Sequence, residues 1–584
     1  LCRLFKHVTP QRRFQLCFLL ALMIVSTFAE VLSIGAVIPF LGVLTSPERV
    51  FNHPQADYVI ELLEISTPQD LLLPLTICFV FAALSAGLLR VILLWANTKL
   101  TFAIGADLSI SIYTKTLYQP YETHSARNSS EIITGISEKS NMINHSIILS
   151  VLTIISASIM LVSILIVLLS IEPIIAISAF SGFGFLYFCV VFATKNKLAT
   201  NSSKISLGTN SVIKYLQEGL GGIRDILIDS NQSLYCGIFS KAITTLRQSQ
   251  ANTAFISSSP RFLMETIGML IIAVLAYYLA NSPEGVVVVI PTLGVLAFGA
   301  QRLLPVLQQA YGAWSSIQGS RAVLADVLGL LEQQVPDHFN EEVLAHVNFE
   351  TKIVLENVCF QYYEGPLVLR DLNITIQKGS RVGIIGTTGS GKSTFTDIIM
   401  GLLSPTKGQM IIDSKEIHAH NSRGWQANIA HVPQSIFLTD STIAENIAFG
   451  VEKENIDSER LYLAAAQAQI NNYIESLPEK YETMVGERGV RLSGGQRQRI
   501  GIARALYKQA DVIVLDEATS ALDSHTEKQV MQAIGRMNEN ITIIIIAHRL
   551  TTLKECDCII ELGDSTIKRV GTYSEIVAEK YKGN

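Results

Sequence analysis

The chain has 584 residues, 49% of them hydrophobic and only 16% charged, with a mean hydropathy of +0.36; it is too long for one core and too apolar for a soluble enzyme. Its net charge of −5, with no basic stripe or arm, argues against nucleic acid as a partner. The apolar excess lies almost wholly before residue 310, where runs long enough to cross a bilayer recur. The remainder mixes charge with alternating apolar segments, as α/β domains do.

Six spans are expected, at about Phe14–Leu44, Leu71–Leu100, Ile147–Ile171, Ile174–Thr194, Phe262–Ala280 and Val286–Val306. The first is too long for a signal peptide and is expected to stay as an anchor. Arg3, Lys6, Arg12 and Arg13 flank it, so the positive-inside rule puts this end in the cytosol, and six crossings return the second half there. The outer loop Ser46–Asp70 is acidic, and its Tyr58–Ile65 stretch forms either a short amphipathic helix at the outer surface or a plain polar loop. Glu172-Pro173 and Asn281–Gly285 close two tight hairpins. The long inner segments, about 101–145 and 195–261, are expected to continue as helices into the cytosol, with contact turns at about 118–130 and 216–226. Gly219, Gly221 and Gly222 break the second segment and let backbones approach.

Ionisable residues inside spans are costly and point to function. Glu30, Arg90, Arg261, Glu265 and Arg302 are such residues. Arg90, Arg261 and Arg302 lining one cavity would suit an anionic group; snorkelling, or an internal ion pair such as Glu30 with Arg90, is the competing reading. Residues 311–345 read as a linker. The eight cysteines are scattered, and Cys556-Asp557-Cys558 has the wrong spacing for a zinc or redox motif, so all are read as structural.

From about residue 346 the pattern is that of an α/β nucleotide-binding domain. The strand Arg381–Ile385 leads into Gly386-Thr387-Thr388-Gly389-Ser390-Gly391-Lys392-Ser393-Thr394, and a helix follows. In that context the loop is a phosphate cradle. The N–H groups of Gly389 to Thr394 would hold the β-phosphate, Lys392 would reach the β- and γ-phosphates, and Ser393 would ligate Mg2+. A second buried strand, Asp511–Asp516, ends in Asp516 and Glu517 at the edge where such sheets bind ligands. Asp516 would hold Mg2+ through water, and Glu517 would polarise the attacking water as general base. A third strand, Ile541–Ile546, delivers His548 to the same edge, towards the γ-phosphate.

About a hundred residues after the lysine comes Leu492-Ser493-Gly494-Gly495-Gln496. With this signature, residues 346–584 resemble the nucleotide-binding domain of an ABC transporter. The resemblance implies that Tyr362 stacks on adenine, Gln434 senses Mg2+ and the γ-phosphate, and Asp523 lies in a loop crossing the dimer. Each signature, Ser493 to Gln496, then caps the ATP held by another copy. Six spans followed by one such domain is the half-transporter layout, so the resemblance covers the whole chain. It implies a membrane all-α, six-helix exporter-type (type IV) transmembrane domain plus an α/β P-loop NTPase domain. A domain-swapped homodimer using ATP and Mg2+ is the expected assembly, with a heterodimer as the alternative.

Ala29–Phe40, Arg127–Glu131, Glu218–Arg224 and Arg302–Pro305 further resemble bacterial ABC flippases for lipid-linked oligosaccharides. That resemblance implies a place in the bacterial cytoplasmic (inner) membrane. It also implies that Arg90, Arg261 and Arg302 hold the pyrophosphate of a polyprenyl carrier. A multidrug or glycerolipid (lipid A-like) exporter is the alternative. An ATP-gated channel or regulator is a third reading, which intact Glu517, His548 and signature disfavour.

Overall fold

A computed structural model describes the chain except residues 46–47, 49–50, 52–66, 172, 281–285, 336–345, 364, 519–523, 538–539, 548–552 and 581–584. It divides into two compact units: Leu1–Tyr118 with Arg127–Gln334, and Gln119–Ala126 with Val335–Asn584.

The first unit is helical. Its long helices are α1 (Pro10–Thr45), α2 (Leu72–Leu117), α3 (Leu149–Ile171), α4 (Pro173–Gly221), α5 (Gln232–Ala280) and α6 (Val286–Gly319). Among the described residues, Pro10–Ser33, Pro68–Leu117 and Ser129–Val167 are long and apolar enough to cross a membrane. α4 and α5 each have 49 residues. At about 1.5 Å per residue they are roughly twice as long as a bilayer core is thick, so much of each lies outside it. The membrane stretches expose bulky apolar side chains such as Phe81, Leu84, Leu88 and Phe192, which suits lipid as solvent. The residues expected to form the outer helix, and those closing both hairpins except Pro173, lie outside the described residues.

Residues 311–345, expected as a linker, are helical through Leu331. α6 runs to Gly319, and α7 (Arg321–Leu331) follows it within the first unit. The reason is visible in its pattern: Val323, Leu324, Val327, Leu328 and Leu331 recur at helical spacing and all are buried. They pack in one core with Leu108, Ile112 and Ile143. Polar contacts pin the same helix. Lys139, 3% exposed, donates from Nζ to Asp326 Oδ2 (2.5 Å) and to Ser206 Oγ (3.2 Å). Lys115 Nζ donates to the Leu331 carbonyl at 2.5 Å, and Arg3 pairs with Glu332; both place positive charge at a helix C-terminus, where it is favoured.

Between α2 and α3 the chain passes through two π-helical turns, Gly135–Lys139 and Asn144–Ile148. Here side chains pack tightly onto glycine backbones. A Cβ on Gly135 would strike Leu330, and one on Gly105 would strike Asn144, whereas one on Gly219 or Gly221 would meet nothing within 4 Å. α4 ends at Gly221, and a short helix, Ile223–Ile228, resumes after Gly222.

The second unit holds two sheets. The four-stranded one is antiparallel in the order β2-β1-β4-β5, from β1 (Lys352–Gln361), β2 (Leu367–Gln377), β4 (Lys407–Ile412) and β5 (Lys415–Glu416). The six-stranded one has the order β10-β9-β3-β8-β7-β6, with β3 (Arg381–Gly386), β6 (Ile429–Val432), β7 (Val512–Asp516), β8 (Thr542–Ile546), β9 (Cys558–Gly563) and β10 (Thr566–Gly571). All its pairings are parallel except β9 with β10. The central strands are apolar on both faces because helices cover both faces of such a sheet; β7 and β8 are buried almost end to end. Parallel register brings the ends of β3, β7 and β8 to one edge, Asp516 lying opposite Ile546.

Candidate nucleotide site and membrane cavity

At that edge β3 gives way to the glycine loop and then to α8 (Lys392–Ile399). Gly391, the residue before α8, has a left-handed φ of 90°, and a Cβ there would lie 2.7 Å from Leu369 Cδ2 and 3.1 Å from the Val368 carbonyl. Only glycine fits, and its absence of side chain leaves the loop's N–H groups accessible at the start of a helix. Lys392 folds back over the loop, donating from Nζ to the Gly386 and Thr387 carbonyls at 2.9 and 3.0 Å. The Ser390 hydroxyl is buried without a hydrogen-bond partner. A glycine loop leading into a helix N-terminus, with an ammonium ion and an orphan hydroxyl, fits a nucleotide's phosphates.

Tyr362 extends from β1; its hydroxyl lies 3.2 Å from Thr394 Oγ1, and its ring meets Phe360 edge-on with centroids 4.8 Å apart. The aromatic expected at the base is thus tied to the helix of the phosphate loop. Glu517 follows β7 with a φ of 48°, unusual for a residue with a side chain. Its N–H donates to the Ile546 carbonyl at 3.1 Å, and Gln434 Nε2 donates to its carboxylate at 2.8 Å. Gln434 and Glu517, 83 residues apart, are therefore partners. His548 and Asp523 lie outside the described residues.

The signature forms the start of α9 (Gly494–Lys508). Ser493 caps it: its Oγ accepts from the Gln496 N–H (3.2 Å), and the Gln496 side chain accepts from the Ser493 N–H (2.7 Å). This reciprocal box spends the Gln496 side chain on shaping the helix end. Ser493 remains exposed, with Gly494 and Gly495 behind it, as an open anion-binding terminus.

Sequence reasoning missed Asp397, one helical turn beyond Ser393 on α8. Burial, together with the charge of Asp516, pushes its carboxyl up to about 6; the i, i+4 spacing from Ser393 was the available signal. The first contact turn, expected at about 118–130, contains the helix Tyr121–Ala126, which packs with the second unit. Burial raises the Tyr121 phenol, as do the charges of Asp397 and Tyr362. Glu122 Oε1 accepts from the Tyr363 N–H at 3.4 Å.

In the first unit, Glu30 on α1 and Arg90 on α2 form an ion pair, with Arg90 Nε donating to Glu30 Oε2 at 3.3 Å. The pair sits on the wall of a cavity of about 670 Å³, where Ser26, Thr27, Asn97, Thr153, Ser156 and Gln309 add polar groups. Those residues were readable as i, i+3 and i+4 neighbours, yet each alone looks unremarkable in a span. Arg261 does not reach this cavity. It is 60% exposed and pairs at 2.9 Å with Glu265, a nearer carboxylate one turn along its own helix. The side chain of Arg302 lies outside the described residues; its position in α6 is one turn before Val306 of the cavity wall.

The family model for the ABC transporter matches residues 369–520, and that for the ABC transporter transmembrane region matches residues 15–289. An ATP-dependent lipid A-core flippase of Alkalilimnicola ehrlichii is 31% identical over 400 residues, 68% of this chain and 67% of that protein. The chain is an ABC transporter. A protein of the same name from Chromohalobacter salexigens is 33% identical to this transporter over 67% of each chain. A bacterial Atm1-family ABC exporter solved with ATP bound superposes with a TM-score of 0.77, over 94% of this chain and 96% of that one, at 22% identity. The transporter therefore has the type IV exporter membrane fold joined to an ATPase domain, and ATP binding belongs to the second unit.

Proposed function

We propose that the transporter is a homodimer that hydrolyses ATP to carry a lipid-linked substrate across the bacterial cytoplasmic membrane. Its N-terminus and ATPase domain face the cytosol. The cargo class is a polyprenyl-pyrophosphate-linked oligosaccharide or polysaccharide precursor. The observation that carries this reading is Arg90 on the wall of a polar cavity among apolar helices: it forms the ion pair with Glu30 that the competing reading expects, but its side chain is 55% exposed and can also meet a phosphate headgroup whose tail stays in lipid. The similarity to proteins named lipid A-core flippases supports a lipidic cargo and favours, as second reading, a glycerolipid.

In the ATPase cycle Lys392 and the loop N–H groups bind the β- and γ-phosphates, and Tyr362 packs on the base. Ser493 and Gly495 of the second copy close over the γ-phosphate, since one chain carries one loop and one signature. Gln434 orients the Glu517 carboxylate, which takes a proton from the attacking water, and His548 steadies the γ-phosphate. Ser393, Asp516 and Gln434 would hold Mg2+, which when bound neutralises phosphate charge. Asp397 and Asp516, whose charges oppose each other, make an acidic spot suited to a cation. Asp523 would lie at the crossing between copies.

The test is ATPase stimulation in proteoliposomes by polyprenyl-pyrophosphate saccharides, glycerolipids of the lipid A type and hydrophobic drugs. Selective stimulation by the first group is expected, with Arg302→Ala lowering it more than basal hydrolysis. Stimulation by drugs or glycerolipids alone would replace this cargo assignment.

A further inference from the structure

An arginine facing a bilayer cavity meets an excess of singly charged phosphodiester headgroups, any of which it can bind through its fork of N–H groups. In this transporter Arg90 already holds an anion. Glu30, 8% exposed, occupies the guanidinium from α1. A ligand must compete with that carboxylate and leave it in a place where an uncompensated charge is costly. A singly charged headgroup replaces one charge by one and gains nothing, whereas a diphosphate offers the guanidinium fork more acceptor oxygens in two planes at once.

A second observation extends the site. Asn97 lines the same cavity, and its Oδ1 is buried without a hydrogen-bond partner. It lies seven residues after Arg90 on α2, hence on the same face and about 10 Å further along. Turned into the cavity, the Asn97 amide can meet a hydroxyl on a group attached to the diphosphate, which supplies the donor that its buried Oδ1 lacks.

We propose that Glu30 and Asn97 set the selectivity of the Arg90 site. Glu30 holds Arg90 against singly charged phosphodiester lipids, and Asn97 accepts a hydroxyl from the sugar beyond a diphosphate. The inference rests on the anionic-cargo reading above.

The experiment uses the full chain in phosphatidylcholine nanodiscs and a fluorescent polyprenyl-diphosphate saccharide as ligand. Polyprenyl diphosphate and phosphatidylglycerol serve as competitors. Wild type binds the ligand, with phosphatidylglycerol a weak competitor. Glu30→Gln narrows the preference about tenfold or more through tighter phosphatidylglycerol binding, while Glu30→Asp, which keeps the charge, retains it. Asn97→Leu weakens the saccharide ligand about tenfold and leaves bare polyprenyl diphosphate unchanged. An unaltered preference in Glu30→Gln, or equal weakening of both lipids, overturns the role of Glu30; equal weakening of both diphosphates overturns that of Asn97. If wild type binds no diphosphate lipid, the cargo assignment fails and the inference fails with it.

Discussion

Glu517 stands just past the end of β7 with a left-handed φ of 48°. Its left-handed φ and the Gln434 hydrogen bond fix the carboxylate just past the strand end, so the position needs this side chain despite the backbone cost. Glu517→Gln should lower steady-state hydrolysis about 100-fold or more while ATP binding persists, measured by phosphate release and nucleotide retention; normal turnover would remove the general-base assignment. Asp397 gives a pH-dependent case. Its folded-state carboxyl is raised to about 6 from an ordinary 3.8, so the folded state holds the proton more tightly than the unfolded chain. Its contribution therefore favours folding at low pH and is lost as pH rises from about 4 through 6. In nucleotide-free and Mg2+-free protein, Asp397→Asn should melt above wild type at pH 7.5 and converge with it near pH 4. The loop, Asp516 and Glu517 were legible because their spacing carries the chemistry. The Gln434–Glu517 bond and the burial of Asp397 depend on strands far apart in sequence and were not. Arg261 stands between: its Glu265 partner at i+4 was in plain view.

At the scale of elements, α7 is the clearest departure from the sequence reading. Its apolar residues recur at helical spacing, but the stretch is too short for a span and sits where domains join, so it read as a linker. Buried Lys139 and its partner Asp326 fasten it to a π turn and, through Ser206, to α4. Asp326→Ala leaves the ammonium buried without its carboxylate and should cost about 2 kcal/mol or more, discounted for Asp326's partial exposure. The melting temperature in detergent should fall further for it than for Lys139→Met, which removes the buried charge. An equal fall for both would mean that packing alone holds the helix. The π turns themselves had no sequence signal, because their hydrogen bonds shift by one residue without any change in composition.

For the whole molecule, the most economical test concerns assembly. Lys392 and Ser493 are expected to serve different ATP sites, so two inactive chains, Lys392→Ala and Ser493→Arg, should complement when mixed before dimerisation. Half the dimers would then carry one intact site, and about a quarter of wild-type hydrolysis should return. No recovery would place both residues in one chain's site. The division into a membrane half and an ATPase half was readable from composition, but the true partition of the chain was not. Gln119–Ala126 lies in the sequence of the membrane half and yet belongs to the ATPase unit, with Tyr121 beside Asp397 and Tyr362. The chain thus passes from one unit to the other three times. Anyone grafting this ATPase onto a foreign membrane domain must therefore reckon with Gln119–Ala126, which lies inside the transmembrane-region match yet packs with the ATPase; a single cut after residue 334 keeps the engine and discards the helix that seats on it.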